Sequence, residues 1–266
     1  MNKAILGYKL GMTRYFTPSG VSVPVTVVQA GPCRVIGVLN KENTDHDAIK
    51  VGFGAIKASH LDKPTRGQLR KANAALTPEE QKSDEASFAV LDDNKIAQDS
   101  KTVVRHFKEF RLTDTSKYKV GDLIKADTFA AGEFVDVTGT SKGRGFTGTV
   151  QRWGTHIGPK AHGSGYHRGV GSLSANSTPS RVFKNKVMPG QYGNETSTIQ
   201  NLEIIKVDVA RNLLLIAGGI PGPKKGLLII QNSCKKKPNQ SHWAADKQYS
   251  NKSDSGAGKT AGNKKK

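Results

Sequence analysis

An acid-free stretch constrains this chain more than any other feature: residues 139–194 contain no Asp or Glu. The stretch has twelve glycines and a charge of +8 from Lys and Arg. Loops longer than about 12–15 residues are uncommon in compact domains unless they are functional or disordered. Because strand-like sequences flank it on both sides, we predict that residues 139–194 form a long extended arm between two strands of one domain.

The positive charge of the chain is concentrated in two segments. Of the net charge of +19, the arm contributes +8 and the tail, residues 235–266, contributes +7. The rest of the chain has 24 basic and 20 acidic residues and is close to neutral. A protein with this much positive charge usually binds a polyanionic partner.

Cysteine content and hydropathy indicate the compartment. Cys33 and Cys234 are the only cysteines, and the pattern of the sequence does not support a disulfide between them. The first residues lack the apolar core of a signal peptide, and no window approaches the ~18 apolar residues of a membrane span. A reduced, cytoplasmic protein without membrane contact is therefore expected.

The flanking sequences predict a mainly β fold. Valine-rich runs with turn signals cover residues 22–39 and 48–56, with Gly52 and Gly54 predicted to mark a bend or bulge. The β pattern returns over residues 102–138 and again over residues 196–233, where residues 208–212 and 218–226 are predicted turns. Short strands spaced by turns predict a small closed β-barrel built from both halves of the chain. We assign residues 1–58, 101–138 and 195–233 to this barrel body.

Two other segments complete the predicted organisation. Residues 59–100 are predicted to be a helical insertion, with good helix formers over 67–76 and a helix start at Thr77, followed by Pro78 and two glutamates. Residues 234–266 form a basic, low-complexity tail. This tail either makes additional contacts with RNA or proteins or is a solvated, disordered end.

The composition of the arm favours RNA binding. Lys and Arg neutralise phosphates, glycine permits close backbone approach, and aromatic rings and histidines stack on bases. A solvated loop has no reason to exclude acids, whereas a loop among phosphates does; the alternative is a flexible linker. The predicted rRNA-contacting residues are Lys142, Arg144, Phe146, Arg152, Trp153, His156, Lys160, His162, Tyr166, His167, Arg168, Arg181, Lys184 and Lys186.

Three chemical alternatives match short patterns only. The GTSKG run around Ser141 has the form of a hydrolase nucleophile turn, but no acid lies between it and the histidines that follow. The histidines at 156, 162 and 167 lack further ligands for a metal. The SGAGKT run in the tail lacks the first glycine of a phosphate loop. We expect no enzymatic activity, cofactor, metal or small-molecule substrate.

Several motifs together resemble the bacterial form of the third protein of the large ribosomal subunit. They are ILGYKLGMTRYF, GRGFTGTVQRW, HGSGYHRGVGS, RVFKNKVMPGQYGNE and VDVARNLLLIAGGIPG, in this order between residue 1 and about residue 233. The chain departs from the family in a longer stretch at 74–100 and in the lysine-rich tail. Some relatives carry a glutamine near Gly158 that this sequence lacks.

The resemblance implies a structural role in the ribosome. Proteins of that family place a β-barrel on the outside of the large subunit and send an extension into rRNA toward the peptidyl-transferase centre, where RNA does the chemistry. They bind near the 3′ end of 23S rRNA early in assembly and contact neighbouring ribosomal proteins. Carried onto this sequence, residues 141–153 would form the tip of the arm and residues 160–186 its return path.

The residues also fit a rival hypothesis. A free-standing RNA-binding module or assembly chaperone would have the same barrel and arm. In either case, ordering the arm costs about 1–2 kcal/mol per residue in backbone entropy, so we expect it to be mobile without RNA.

Overall fold

The computed structural model describes residues 3–18, 20–41, 45–74 and 102–235. The described chain is mainly β, with two α-helices, α1 (Lys63–Ala74) and α2 (Thr149–Trp153). The strands are β1 (Ala4–Phe16), β2 (Ser22–Ala30), β3 (Cys33–Leu39), β4 (Ala48–Lys57), β5 (Thr102–Arg111), β6 (Leu123–Ile124), β7 (Phe134–Thr140), β8 (Gly145–Thr147), β9 (Gly190–Tyr192), β10 (Thr196–Asp208), β11 (Leu213–Ala217) and β12 (Leu227–Asn232).

Six of the strands form a closed hydrogen-bonded ring in the order β1-β12-β7-β10-β11-β2. The ring closes between β1 and β2, which pair antiparallel from Gly7↔Ala30 to Phe16↔Ser22. Strands β1 and β2 come from the first part of the chain, and the other four follow residue 133, so the ring is built from both halves. Strand β1 was missed by the sequence pattern, because Gly7, Lys9 and Gly11 interrupt its apolar alternation.

A second, four-stranded sheet has the order β5-β4-β3-β6. The sequence pattern assigned these strands to the same barrel body as the others, whereas the structure pairs them in a sheet of their own. The chain passes from the ring to this sheet at Gly31-Pro32, a cis peptide bond between β2 and β3. Gly31 has a φ of +79°, and a Cβ there would lie 2.8 Å from the carbonyl oxygen of Ile124. Glycine is therefore required at the crossing.

One hydrophobic core joins the ring to the second sheet. Ile5, Leu214 and Ile230 from the ring belong to the same buried cluster as Ile49 and Phe110 from the sheet. Each of these side chains is at most 1% exposed. The alternating apolar residues of the strands supply this core, as their period-2 pattern predicts.

The predicted turns are confirmed, whereas of the bend or bulge predicted at Gly52 and Gly54 the bulge is not found in the strand pairing. Residues 208–212 connect β10 to β11, and residues 218–226 connect β11 to β12. The β4–β5 pairing keeps one register through Gly52 and Gly54, and the register shift of β3 and β4 lies between Val35 and Gly37 instead. Gly52 is needed for packing, since a Cβ would lie 2.5 Å from Cγ1 of Val104.

Helix α1 confirms the helical pattern found over residues 67–76. It follows Asp62, whose carbonyl oxygen accepts a hydrogen bond from the Arg66 amide (3.0 Å). Its buried Leu69 and Ala72 pack in a small cluster with Ile36 and Val103. The helix predicted to start at Thr77 lies outside the described residues, as does the tail beyond residue 235.

The chain divides into two compact units, Met1–Gly139 with Thr198–Lys266, and Thr140–Ser197. The first unit contains the ring, the second sheet and α1. The second unit contains β8, α2 and β9, and the part of it between α2 and β9 has neither helix nor strand.

Candidate nucleic-acid interface

The two ends of the second unit are paired with each other. The Ser141 amide donates to the Glu195 carbonyl oxygen (2.8 Å), and the Glu195 amide donates to Oγ of Ser141 (3.2 Å). The Arg144 amide donates to the carbonyl oxygen of Tyr192 (2.9 Å), next to the short β8–β9 ladder. The Ser141 hydroxyl therefore helps to join the two paired ends, residues 141–153 and 188–195, which are called the base of the unit below. Among the described residues, no hydrogen bond joins this hydroxyl to a histidine.

Helix α2 continues this base. It ends at Gly154, which adopts the left-handed conformation (φ 70°) and donates its amide to the Val150 carbonyl oxygen (3.1 Å). The side chains of Arg152 and Trp153 both donate to the carbonyl oxygen of Met188, just before β9. Residues 141–153 are thus held against residues 188–195.

This pairing shows which residues lie beside those predicted to form the tip. Residues 141–153 lie beside residues 188–195, close in the chain to both ends of the unit. The part of the segment most distant from those ends along the chain is residues 154–187. The assignment of residues 141–153 to the tip and of residues 160–186 to the return path stays a prediction.

Residues 158–171 form a loop closed by its own hydrogen bonds. The Gly158 amide donates to the His167 carbonyl oxygen (2.8 Å), and Nδ1 of His167 lies 3.1 Å from the carbonyl oxygen of Pro159. The Tyr166 hydroxyl donates to the Gly169 carbonyl oxygen (2.8 Å). Gly158 and Gly169 allow the backbone to approach the half-exposed Tyr166 ring closely.

The segment that follows is held by serine side chains. Oγ of Ser174 donates to the carbonyl oxygen of Arg181 (2.8 Å), and Oγ of Ser172 donates to that of Ser174 (3.0 Å). The guanidinium of Arg181 lies 5.3 Å from the centroid of the Phe183 ring. Local bonds of this kind shape the backbone and leave the basic side chains free to point outward.

The fourteen predicted RNA-contacting residues are exposed, except that Arg152 is half-buried. They lie in four places. Three lie in or just before β8 (Lys142, Arg144 and Phe146), and two lie on α2 (Arg152 and Trp153). Six residues from His156 to Arg168 lie in or beside the 158–171 loop, and three lie before β9 (Arg181, Lys184 and Lys186). Among the described residues, none of these side chains forms an ion pair within 4.0 Å.

Arginine–aromatic stacking organises the charged side chains. Arg144 lies 5.2 Å from the Tyr192 ring centroid and Arg152 lies 5.0 Å from that of Trp153. Tyr192 was missed by the sequence reasoning, which had no signal for a partner 48 residues away from Arg144 in the chain. Stacking of this kind holds a guanidinium in one plane while its N–H groups stay available.

Large apolar side chains are also exposed in the second unit. Phe146 is 79% exposed, and Trp153 and Phe183 are each 55% exposed. Exposed aromatic rings interleaved with cations are the composition of a surface that stacks on bases.

The chemical alternatives weighed from the sequence can be compared with the described part of the chain. Residues 3–18, 20–41, 45–74 and 102–235 contain no group of three His, Cys, Asp or Glu side chains able to hold a metal. Cys33 and Cys234 are both free thiols. No described helix is long and apolar enough to cross a membrane. The phosphate-loop-like run near residue 258 lies outside the described residues.

Comparison with known families adds an independent finding. The family model described as Ribosomal protein L3 matches residues 107–212 of this chain. The match runs from β5 to the turn before β11 and includes the entire acid-free stretch.

Proposed function

Because this chain belongs to the ribosomal protein L3 family, we propose that its acid-free segment is the arm by which it binds 23S rRNA near the 3′ end. Members of this family are structural proteins of the large ribosomal subunit, in the cytoplasm, where they bind rRNA and neighbouring ribosomal proteins. The proposal assigns that binding to residues 139–194, and to the fourteen side chains named above.

The observation that carries the proposal is a set of exposed cations with no acid to neutralise them. Eight Lys and Arg side chains lie between residues 139 and 194, where the sequence has no Asp or Glu. Cations with no carboxylate nearby repel one another, so their stable environment is one rich in anions. Phosphates of rRNA supply that environment, and the release of counterions on binding supplies affinity.

Exposed aromatic rings favour RNA over a smaller polyanion. Phe146, Trp153 and Phe183 cover no core in the second unit and are more than half exposed. Burying such rings against bases contributes about 1–3 kcal/mol for each stacked base. A simple phosphate or an acidic peptide offers no comparable flat surface.

We assign the ring of six strands to the predicted β-barrel, and the barrel to the outer surface of the subunit. Its part is to fix the position of the arm while the arm orders RNA domains early in assembly. The arm then supports the peptidyl-transferase centre through the RNA it holds, and the RNA itself does the chemistry.

A matched pair of variants tests the assignment. One variant neutralises four exposed cations of the arm, Lys160, Arg168, Lys184 and Lys186, each to Gln. The control neutralises four exposed lysines of the first unit, Lys108, Lys119, Lys125 and Lys224, in the same way. Binding of each full-length protein to a 3′ fragment of 23S rRNA is measured across a salt titration.

The arm variant is expected to lose up to about 2.8–3.6 units from the slope of log K against log salt concentration, since it lacks four cations and each phosphate contact contributes about 0.7–0.9 units. The control is expected to keep most of the slope. If the control loses more slope than the arm variant, the first unit carries recognition and the segment is a linker.

A further inference from the structure

Strand β1 extends beyond the ring along one of its edges. Its pairing with β12 ends at Tyr8↔Leu227, whereas its pairing with β2 continues to Phe16↔Ser22. The second half of β1, residues 11–16, is therefore bonded on one side only among the described residues. Within residues 3–18, 20–41, 45–74 and 102–235, no backbone group bonds to the opposite edge of this half, which is called the free edge below.

The position of Pro24 establishes which residues face that edge. Pro24 lies opposite Arg14 in the β1–β2 pair, and its carbonyl oxygen accepts from the Gly218 amide on the other side (2.8 Å). Arg14↔Pro24 is therefore a pair without mutual hydrogen bonds, in which the backbone groups of both residues point away from each other. By alternation, the N–H and C=O groups of Met12, Arg14 and Phe16 point to the free edge.

The side chains of the same residues are exposed. Met12 is 56% exposed and Phe16 is 66% exposed, and Arg14 lies between them on the same face. Among the described residues, Arg14 has no ion pair. Natural proteins protect exposed strand edges with charges, proline or bulges, because a bare apolar edge recruits other strands. This edge has a single charge between two large apolar side chains.

We propose that the free edge of β1 at Met12, Arg14 and Phe16 binds an extended segment of a neighbouring large-subunit protein, which adds a strand to the ring. The segment has an acidic side chain opposite Arg14 and apolar side chains opposite Met12 and Phe16. Main-chain hydrogen bonds supply affinity and the alternating side chains supply specificity, as in other strand additions. The proposal rests on the family assignment, and concerns a surface separate from the arm.

The chemistry of the edge favours a peptide over other occupants. The edge offers both N–H donors and C=O acceptors, and phosphate oxygens of RNA can satisfy only the donors. A second copy paired antiparallel about Arg14 would place two arginines opposite each other. The tail of this chain, residues 236–266, is rich in lysine and carries the same sign of charge as Arg14.

Photocrosslinking from within the subunit identifies the occupant. The full-length protein carries p-benzoylphenylalanine at position 12, or, as a control, at Val209, an exposed apolar position in the turn between β10 and β11. Large subunits are purified and irradiated, and the adducts are identified by mass spectrometry. Position 12 is expected to join a protein segment with the apolar–x–acidic–x–apolar pattern, which Val209 does not. Adducts to rRNA, to residues 236–266 or to a second copy would overturn the proposal, and so would the absence of any protein adduct.

Backbone and charge variants test the mode of binding. Arg14→Pro removes a donor on the free edge and leaves the β1–β2 hydrogen bonds intact, whereas Arg14→Ala keeps that donor. The neighbour identified by crosslinking is expected to be retained about threefold to tenfold less in salt-washed subunits with Arg14→Pro than with Arg14→Ala, the effect of one hydrogen bond. Arg14→Glu keeps the donor and places like charges together, and about a threefold loss relative to Arg14→Ala is expected.

Incorporation of this chain into subunits is measured in parallel. If the arm does not bind rRNA, the chain itself is lost from the subunits. If the free edge does not bind its partner segment, only the neighbouring protein is lost. Equal retention of the neighbour by Arg14→Pro and Arg14→Ala would exclude strand addition.

Discussion

The side chains of Arg152 and Trp153 share one acceptor, the carbonyl oxygen of Met188, with both donor–acceptor distances at 3.1 Å. The guanidinium of Arg152 also lies 5.0 Å from the centroid of the Trp153 ring. Consecutive residues on a helix do not normally face one another. Here they converge because α2 ends directly after them, at Gly154, and their shared bond joins the end of α2 to the residues just before β9.

Replacing Trp153 with Phe tests how firmly the base of the unit is held. The change keeps an aromatic ring beside Arg152 and removes the indole donor to Met188, at a net cost of about 1 kcal/mol or less for a half-exposed bond. We expect faster hydrogen exchange at the amides of Arg152 and Gly154, and no change in the thermal midpoint of the first unit.

The same exchange experiment tests the mobility expected for the arm without RNA. In the wild-type protein, amides within residues 160–186 should exchange quickly, since few backbone bonds protect them, and amides bonded between residues 141–153 and 188–195 should exchange more slowly. Strong protection throughout residues 160–186 in the free protein would contradict the expectation.

The loop around Tyr166 gives a second prediction, with glycine partners as its control. A Cβ on Gly169 would lie 2.5 Å from Cε2 of Tyr166, whereas a Cβ on Gly165 would meet nothing within 4 Å. Gly169→Ala must therefore displace the half-exposed Tyr166 ring and disturb its hydrogen bond to the carbonyl oxygen of residue 169, at a net cost of about 1 kcal/mol or less. We expect weaker binding of the 3′ fragment of 23S rRNA with an unchanged salt slope, since no cation is lost.

Gly165→Ala should bind like the wild type in the same assay. If both variants bind equally well, the fold of the loop around Tyr166 is not needed for recognition. A change in salt slope with Gly169→Ala would instead indicate that phosphate contacts depend on the ring.

The sequence predicted the mainly β fold and the special character of residues 139–194 because both depend on composition and short-range periodicity. It failed where long-range pairing decides. The chain passes from the ring to the separate sheet at Gly31-Pro32. The sequence indicates a turn there, but not the direction in which the chain leaves it. The pairing of residues 141–153 with 188–195 likewise joins stretches distant in sequence, which no local pattern predicts.

The site itself divides in the same way. Charge and aromatic content pointed to exposed cations at Lys160 or Arg168 without any structure. The stacking of Arg144 on Tyr192 could not be anticipated, since it requires β8 and β9 to pair across the whole segment.

Asp136 gives a prediction about the stability of the ring. Oδ1 of its buried carboxylate accepts a hydrogen bond from the backbone amide of Asn201 (2.9 Å). Oγ of Ser233 donates to the side-chain Oδ1 of Asn201 (2.6 Å). Asp136→Ala leaves the Asn201 amide without this acceptor, at a cost of about 1–3 kcal/mol. A lower thermal midpoint is expected, and Asp136→Asn, which keeps an acceptor oxygen, should recover most of it. Equal losses in the two variants would mean that the charge of Asp136, and not its acceptor, stabilises the pair β7 and β10.

Cys33 gives a prediction about pH. Burial raises the pKa of the Cys33 thiol to about 12, and the thiol donates to the Leu6 carbonyl oxygen (3.5 Å). At pH 8 the native protein should therefore be alkylated by iodoacetamide only at the exposed Cys234, and a Cys234→Ser variant should not be labelled until it is unfolded.

The sign of the accompanying stability change follows from the same shift. The unfolded thiol loses its proton near its ordinary pKa of 9.0, whereas the folded thiol keeps it to about 12. Between these values the folded state binds more protons, so the free energy of unfolding falls as the pH rises. Chemical denaturation from pH 8 upward should show this decline in the wild type and less of it in Cys33→Ala, after correction for the lower starting stability of the variant. Equal declines in the wild type and in Cys33→Ala would show that Cys33 is not the group that titrates. In the alkylation experiment, labelling of native Cys234→Ser at pH 8 would show that the Cys33 thiol is accessible.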